Sequence, residues 1–345
     1  MPDDSASYRP DRRGFLVGLA STATLLGLGA REALSAAGRT PTPAPAPAPT
    51  FDYRYRTVSI RHVPELQAWL KRLDRERRLS TNKTYREYIG GFQYQRTKEI
   101  ANARALVVVA LPQNLLAVTF RVDGKPRDVL IPPGYASQPV TSAMIQDRVR
   151  RDVLGGRGGP LLRAKLPLKT LAVRTGLAQY GRNNVTFVDG YGSFHELRAY
   201  YTDQALPDHW GPLRLMRLCK GCSICIKACP TRCFSDRNFV IDVGKCITLY
   251  NELEEPLPAW IPASAHHTLV GCLRCQYTCP ANREGIQRIE KLAELTEAET
   301  RLLVGGKRDP KLEKSITAKL ARFPLSIPHL ARSARLALAN GPRLA

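Results

Sequence analysis

Residues 219–230 read CKGCSICIKACP, and this short stretch decides how the rest of the chain is interpreted. Its four cysteines follow the spacing C-x2-C-x2-C-x3-C, and a proline follows the last of them. A loop with this spacing wraps three thiolates around one 4Fe–4S cluster and carries the fourth cysteine to another cluster. A later run at 272–280, CLRCQYTCP, ends on the same Cys-Pro pair. The two runs together predict two 4Fe–4S clusters as cofactors.

The spacing also predicts which cysteines share a cluster, because the cysteine before each proline reaches across to the other site. The first cluster is predicted to have the ligands Cys219, Cys222, Cys225 and Cys279. The second is predicted to have the ligands Cys229, Cys246, Cys272 and Cys275. This uses eight of the nine cysteines and leaves Cys233 without an assignment.

Three other uses of these cysteines fit the sequence less well. A zinc site needs paired C-x2-C knuckles but neither the triple spacing nor the trailing prolines. Disulfides rarely join such closely spaced cysteines, and nine is an odd number. If the cysteines were simply buried thiols with no ligand role, nothing would require the Cys-Pro pair to occur twice.

The N-terminus has the features of an export signal. Arg12 and Arg13 precede Phe15 and a mildly apolar run that reaches about residue 30. We interpret residues 1–38 as a twin-arginine signal peptide, with a disordered basic tail as the alternative. Residues 39–50, rich in alternating proline and alanine, are expected to form an extended linker. The expected location is therefore the periplasm or the outer face of the cytoplasmic membrane.

The remainder of the chain is predicted to have an α+β fold in three parts. Residues 51–212 mix helical and strand patterns and form the α+β domain. They include a helix over 63–73, a buried strand over 105–113, a hairpin turn at Asp123-Gly124 and a helix over 141–154. Residues 213–290 hold the clusters in a ferredoxin-like domain. Residues 291–345 form a basic tail, and the pattern from 286 onward is helical.

The charge balance bears on the partners of the protein. There are 52 Lys and Arg against 30 Asp and Glu, which gives a net charge of +22. This excess suits nucleic acid, an anionic membrane or an acidic protein. Because export separates the protein from RNA, no nucleic acid partner is expected. The expected partners are an electron donor protein or membrane redox component, a small-molecule substrate and the membrane surface. The basic tail is either a docking surface or a solvated helical cover of the cluster domain.

Four further segments give the chain a family resemblance. They are ARALVVVALP (103–112), AVRTGLAQYGRNN (172–184), GSF (192–194) and YYTD (200–203). In this order before the cysteine runs, they resemble the epoxyqueuosine reductases and the related reductive dehalogenases. The resemblance implies a nitroreductase-like α/β domain, a base-off corrinoid (cobalamin) and two 4Fe–4S clusters that supply it with electrons.

Candidate contacts for the corrinoid lie in the second of these segments. Gly176, Gly181, Asn183 and Asn184 are candidates for a loop whose backbone comes close to a ligand. The alternative is an ordinary helix end followed by a turn. Four tyrosines are candidate proton donors, although such a tyrosine is more often a half-buried packing residue: Tyr180, Tyr191, Tyr200 and Tyr201. No catalytic residue is assigned.

The chain departs from the epoxyqueuosine reductases at one functional position. Those enzymes carry an aspartate followed by a glutamate just before the glycine-rich motif, whereas residues 162–169 here read LRAKLPLK, with no carboxylate. The sequence therefore favours an exported iron–sulfur oxidoreductase that reduces a corrinoid or small substrate. The alternatives are a non-catalytic electron-transfer protein and, third, an epoxyqueuosine reductase acting in tRNA modification.

Overall fold

The computed structural model describes residues 51–95, 98–137, 139–234, 239–323 and 325–340. The predicted export signal and linker, residues 1–50, lie outside the described residues. Within these ranges, no helix has the length and apolar character needed to cross a membrane.

The α-helices of the described ranges are α1 (Val63–Arg75), α2 (Lys83–Gly90), α3 (Ser142–Asp152), α4 (Leu168–Arg174), α5 (Ile224–Ala228), α6 (Ile247–Asn251), α7 (Arg274–Tyr277), α8 (Glu297–Val304), α9 (Pro310–Lys319) and α10 (Ile327–Asn340). The strands are β1 (Arg54–Ser59), β2 (Ala105–Pro112), β3 (Leu115–Val122), β4 (Lys125–Ile131), β5 (Leu162–Arg163), β6 (Gln179–Tyr180), β7 (Thr186–Phe187), β8 (His195–Thr202) and β9 (Ile289–Leu295). Short 3₁₀ turns include Arg217–Cys219, Val243–Lys245 and Pro280–Asn282.

A four-stranded antiparallel sheet forms the centre of the α+β part, in the order β1-β2-β8-β5. Strand β2 is buried from Ala105 to Leu111, as its run of β-branched residues predicts. On one face, Leu66 of α1 and Leu171 of α4 pack with Val108. On the other, Ile145 of α3 packs with Val107. The sheet is therefore covered by helices on both faces.

The predicted hairpin is confirmed, but it belongs to a different layer. Strands β3 and β4 pair across Asp123 and Gly124, whose φ angles of 49° and 73° are those of a tight hairpin turn. β3 also pairs in parallel with β9. The resulting three-stranded sheet shares a core with the C-terminal helices, in which Phe120 contacts the group that includes Leu303 and Phe323.

Two of our predictions are therefore corrected. The segment Ile289–Leu295 is a strand, not a helix, because backbone pairing with β3 outweighs the helix preference of its Glu, Lys and Leu residues. The boundary at residue 291 is also wrong, since residues 291–340 share one hydrophobic core with the hairpin at 115–131. The chain passes from the four-stranded sheet at β2 to the three-stranded sheet at β3 and returns to the first sheet for β5 and β8. After the cysteine-rich segment it enters the three-stranded sheet again at β9.

The last helix holds the long connection between Cys246 and Cys272 in place. His329 Nε2 donates to the carbonyl of Asn251 at 2.8 Å, and Arg332 Nη2 donates to that of Leu253 at 2.6 Å. Asn340 donates to the carbonyl of Ala263 at 2.7 Å. The described part of the basic tail thus covers the cluster segment. This agrees with the second of the two alternatives, a helical cover of the cluster domain.

Candidate iron–sulfur site

The thiols predicted for the first cluster line one pocket. Cys219, Cys222, Cys225 and Cys279 surround it together with Gly181, Asn183 and Phe187 of the α+β part. Local structure positions each of them. Cys219 ends a 3₁₀ turn, Cys225 lies in α5, and Cys279 directly follows the turn after α7. Gly221, with φ of +75°, supplies the left-handed turn between Cys219 and Cys222. The pocket is thus built from both cysteine runs.

The electrostatics of this first set fit a bound cation. Burial raises the pKa of Cys225 to about 11, and the neighbouring thiols of Cys219, Cys279 and Cys222 raise it further. Burial also raises the pKa of Cys279. Four thiolates this close repel one another unless positive charge lies between them. The irons of a bound cluster would supply that charge, and the coordinating thiols would lose their protons on binding.

The four thiols of the second set are all half-buried. Burial raises the pKa of Cys272 to about 12, with Cys246 and Cys229 adding to the rise. The pKa of Cys275 is also raised well above its ordinary value, by burial and then by Cys272 and Cys246. Cys225 of the first set also raises the pKa of Cys275, so the two cysteine sets influence each other.

Cys233, which the spacing left unassigned, lies in this second set. Its Sγ is 3.5 Å from Cys229 Sγ. Hydrogen bonding from Cys233 lowers the pKa of Cys229 to about 5 and that of Cys246 to about 7. Sequence spacing gives no signal for this proximity, since C-x3-C at 229–233 is not part of either motif.

The geometry of these groups differs from that of a single-ion site. Within the described ranges, no three His, Cys, Asp or Glu side chains come close enough to hold one metal ion. Thiolates on a single tetrahedral ion with 2.3 Å bonds lie about 3.8 Å apart. A 4Fe–4S cluster spreads its four thiolates over four irons, so its ligands stand further apart.

Two side chains of the α+β part, Arg182 and Asn183, each contact one cysteine set through a backbone carbonyl. Arg182 Nη1 donates to the carbonyl of Cys222 at 2.7 Å. Asn183 Nδ2 donates to the carbonyl of Cys275 at 3.2 Å. Lys169 Nζ donates to the carbonyl of Asn184 at 3.0 Å; burial lowers the pKa of this lysine, and the thiols of Cys246 and Cys275 oppose that shift. The sequence analysis assigned no role to Arg182 or Lys169.

The GSF segment joins the sheet to the cluster segment. The backbone N–H of Ser193 donates to Asn282 Oδ1 at 2.8 Å, and Asn282 Nδ2 donates to Ser193 Oγ at 2.8 Å and to the carbonyl of Gln276 at 2.7 Å. Ser193 Oγ donates to Gln276 Oε1 at 2.9 Å. Gly192 has φ of +60°, and a Cβ there would lie 2.4 Å from Asn282 Oδ1. Only glycine permits this approach.

The four residues predicted to contact a corrinoid are not brought together around one cavity. Gly176 lines an open cleft of about 600 Å³. Gly181 and Asn183 line the pocket of the first cysteine set instead. The side chain of Asn183 is also occupied, because its Oδ1 accepts the N–H of Val185 at 3.2 Å. As a set, these residues do not fit a single corrinoid.

The cleft at Gly176 lies beside the edge strand β1. Its described lining includes Arg54, Arg56, His209 and one carboxyl residue, Asp189. These polar groups are accompanied by Leu177, Leu206 and Pro207 among others. The lining thus mixes polar and apolar groups, and the cleft is a candidate site for a small polar molecule.

The candidate tyrosines are all buried: Tyr180 3%, Tyr191 4%, Tyr200 0% and Tyr201 7% exposed. None is among the residues that line the two pockets. Tyr180 OH lies 3.0 Å from Thr170 Oγ1, and burial raises its pKa to about 12. The structure therefore gives these residues a packing role.

One half-buried carboxyl group lies near Cys246 of the second cysteine set. Glu252 accepts a short hydrogen bond from Tyr135 OH. Burial raises the pKa of Glu252 to about 8, and Cys246 contributes to the rise. The stretch LRAKLPLK has no carboxylate, and no motif in the sequence singles out Glu252.

With this geometry described, known proteins can be compared. Residues 218–282 match the model of the 4Fe–4S double cluster binding domain. Epoxyqueuosine reductase of Synechocystis sp. is 31% identical over 150 residues, which are 38% of this chain and 50% of the relative. That of Cyclobacterium marinum is 34% identical over 113 residues, 32% of this chain and 36% of the relative. The chain thus spans half or less of the length of these curated relatives.

Solved structures extend the similarity in fold. The epoxyqueuosine reductase of Streptococcus thermophilus superposes with a TM-score of 0.55 at 17% identity, over 83% of this chain and 77% of that one. The enzyme of Bacillus subtilis, solved with its catalytic aspartate loop swung out of the active site, gives a TM-score of 0.57 at 17% identity, with the same coverage. The predicted fold class is confirmed.

One expectation is overturned. A structural neighbour with a TM-score of 0.56 at 17% identity, covering 83% of this chain and 77% of that one, is an epoxyqueuosine reductase solved with an epoxyqueuosine-modified tRNA-Tyr stem loop. Our exclusion of nucleic acid as a partner was therefore wrong; it depended on the export signal alone. With a double-cluster domain that supports two 4Fe–4S clusters and with this fold, the chain is an iron–sulfur protein that resembles the epoxyqueuosine reductases.

Proposed function

We propose that this protein is a reductase that passes electrons through two 4Fe–4S clusters to an acceptor in the α+β part. The observation that carries the proposal is the convergence of both cysteine sets beneath the loop that holds Gly181 and Asn183. The proposed ligands of the first cluster are Cys219, Cys222, Cys225 and Cys279. Those of the second are Cys229, Cys246, Cys272 and Cys275.

When bound, the clusters supply one-electron transfer, and the chain supplies the ligands and the charges around them. Arg182 and Lys169 place positive charge at the first and second cysteine sets. Positive charge stabilises the reduced, more negative form of a cluster. All but one of the proposed ligands are partly exposed, the exception being Cys225 of the first set, which is buried.

The proposed acceptor is a corrinoid or a small substrate held in the cleft of about 600 Å³ at Gly176. This proposal is supported by the fold similarity and by the cleft, not by Gly181, Asn183 and Asn184. To test it, the protein is reconstituted with iron and sulfide under anaerobic conditions, mixed with cobalamin and passed through a gel-filtration column. Co-elution of corrinoid absorbance is expected; elution of a protein with about eight irons and no corrinoid would favour the electron-transfer protein instead.

The cluster assignment is tested by two matched variants. Cys279→Ala removes a proposed ligand of the first cluster and Cys275→Ala one of the second, although the residues are only four apart. Each variant is expected to retain about four of eight irons. The two remaining clusters should have different EPR spectra and potentials. Identical remaining spectra would contradict the assignment across the two runs.

A second candidate function is reduction of a base carried on RNA. It is favoured by the neighbour solved with a tRNA stem loop and by the net charge of +22. Binding of a tRNA anticodon stem loop at low salt should weaken steeply as salt rises, because phosphate contacts release counterions. No binding at low salt would exclude it. Since residues 162–169 carry no carboxylate, this candidate also requires an acid from another part of the chain.

Export by the twin-arginine route stays a proposal, supported by Arg12, Arg13 and the apolar run that follows. Expression of the full chain with a C-terminal tag, followed by cell fractionation, tests it. A shortened periplasmic form that is lost in an Arg12→Lys/Arg13→Lys variant is expected. A full-length form confined to the cytoplasm would contradict export and would place the protein where RNA is present.

A further inference from the structure

Cys233 is the ninth cysteine and belongs to neither proposed ligand set. It is 3% exposed, and its thiol lies among those of the second set. Its Sγ lies 3.5 Å from Cys229 Sγ, and it also lowers the pKa of Cys246. A buried thiol in contact with a proposed ligand has a direct path to influence the cluster that this ligand holds.

The distance between Cys229 and Cys233 shows that they do not ligate separate irons as placed. Their sulfurs are 3.5 Å apart, less than the roughly 3.8 Å between two thiolates on one tetrahedral ion. Ligands on different irons of a cluster stand further apart still. One of these two sulfurs is therefore the ligand and the other its hydrogen-bond partner.

The backbone indicates that Cys229 is the ligand and Cys233 its hydrogen-bond donor. The N–H of Cys233 points at Cys229 Sγ at 3.5 Å, so Cys229 is the acceptor. Arg232, between them, has φ of +51°, a left-handed conformation that turns the chain back toward Cys229. The carbonyl of Cys233 is held by the N–H of Asp242 at 2.8 Å. Cys233 is thus fixed where both its N–H and its S–H face the ligand sulfur.

We propose that Cys233 is a positioning residue whose S–H donates to the Cys229 thiolate and raises the reduction potential of the second cluster. Hydrogen bonds to cluster sulfurs set such potentials, because they stabilise the extra negative charge of the reduced form. This inference rests on the proposed assignment of Cys229 to the second cluster.

The test is an EPR-monitored redox titration of the reconstituted full chain. Cys233→Ala removes the S–H donor but keeps the backbone N–H, whereas Cys233→Ser keeps a hydroxyl donor. Both variants should retain about eight irons. In Cys233→Ala one of the two potentials should become more negative while the other stays unchanged, and Cys233→Ser should recover most of the shift. Thr231→Val is the graded control, since Thr231 Oγ1 lies further from Cys229 Sγ, at 3.7 Å, and should shift the same potential less.

Two results would overturn this role. Unchanged potentials in Cys233→Ala would show that the S–H has no influence on the cluster. Loss of about four irons in both Cys233 variants would show that Cys233 is itself a ligand. A wild-type protein with only about four irons would instead refute the two-cluster assignment, and the inference with it, before any variant is compared.

Discussion

Asn282 provides a sharp test of how the cluster segment is attached to the sheet. Its side chain is 1% exposed and makes three hydrogen bonds, two to Ser193 and one to the carbonyl of Gln276. Its own N–H donates to the carbonyl of Cys279 at 2.9 Å. Asn282→Ala removes the three side-chain bonds and leaves the buried N–H of Ser193 without its acceptor.

The expected cost follows from these contacts. Each hydrogen bond contributes about 1 kcal/mol net, so the free energy of unfolding should fall by about 3 kcal/mol. For a chain of 345 residues that corresponds to a melting temperature lower by about 4 °C. Because Cys279 lies three residues before Asn282, the first cluster should also release its iron to a chelator faster than in the wild type.

Anaerobic thermal denaturation of the reconstituted protein, at one fixed heating rate, measures the effect. Asn114→Ala is the matched control, since Asn114 is exposed and its loss should change the stability by less than about 0.5 kcal/mol. Ser193→Ala keeps the backbone N–H, so its melting temperature should lie between those of Asn282→Ala and Asn114→Ala. A melting temperature for Asn282→Ala equal to that of Asn114→Ala would refute the proposed attachment.

Three further predictions concern stability. Burial raises the pKa of Glu252 to about 8, so the folded form holds a proton that the unfolded form has lost; stability should fall as pH rises from about 4.5 to 8, by up to about 1.4 kcal/mol per pH unit. Glu252→Gln should flatten this dependence in denaturant titrations at several pH values, and parallel curves for the two proteins would contradict it. Phe120→Ala, at a fully buried position in the core shared by the hairpin and the tail, should cost about 3–5 kcal/mol, measured by the same titrations; a loss under about 1 kcal/mol would argue against that shared core. Gly192→Ala should lower the melting temperature and the iron content together, because its Cβ would lie 2.4 Å from Asn282 Oδ1, whereas Gly124→Ala, with open space around its Cβ, should cost only the strain of its left-handed backbone and leave the iron content unchanged.

The cofactor chemistry was readable from the sequence because cluster ligands lie in short runs. The spacing at 219–230 is a property of one loop, so no distant part of the chain is needed to interpret it. The same holds for the hairpin at Asp123-Gly124, which is set by the backbone preferences of two residues, and for β2, whose β-branched run predicts its burial.

What the tertiary structure decided depends on residues far apart in the chain. β9 is a strand only because β3, more than 150 residues earlier, offers it a backbone partner. The Glu252 carboxylate accepts from Tyr135, 117 residues earlier in the chain. Cys233 is the exception, because the left-handed turn at Arg232 brings it to Cys229, only four residues away. Asn183, expected to contact a ligand, donates instead to a carbonyl 92 residues away. Local spacing thus identified the metal chemistry, whereas the surroundings that tune it arise from long-range contacts that no single stretch of sequence contains.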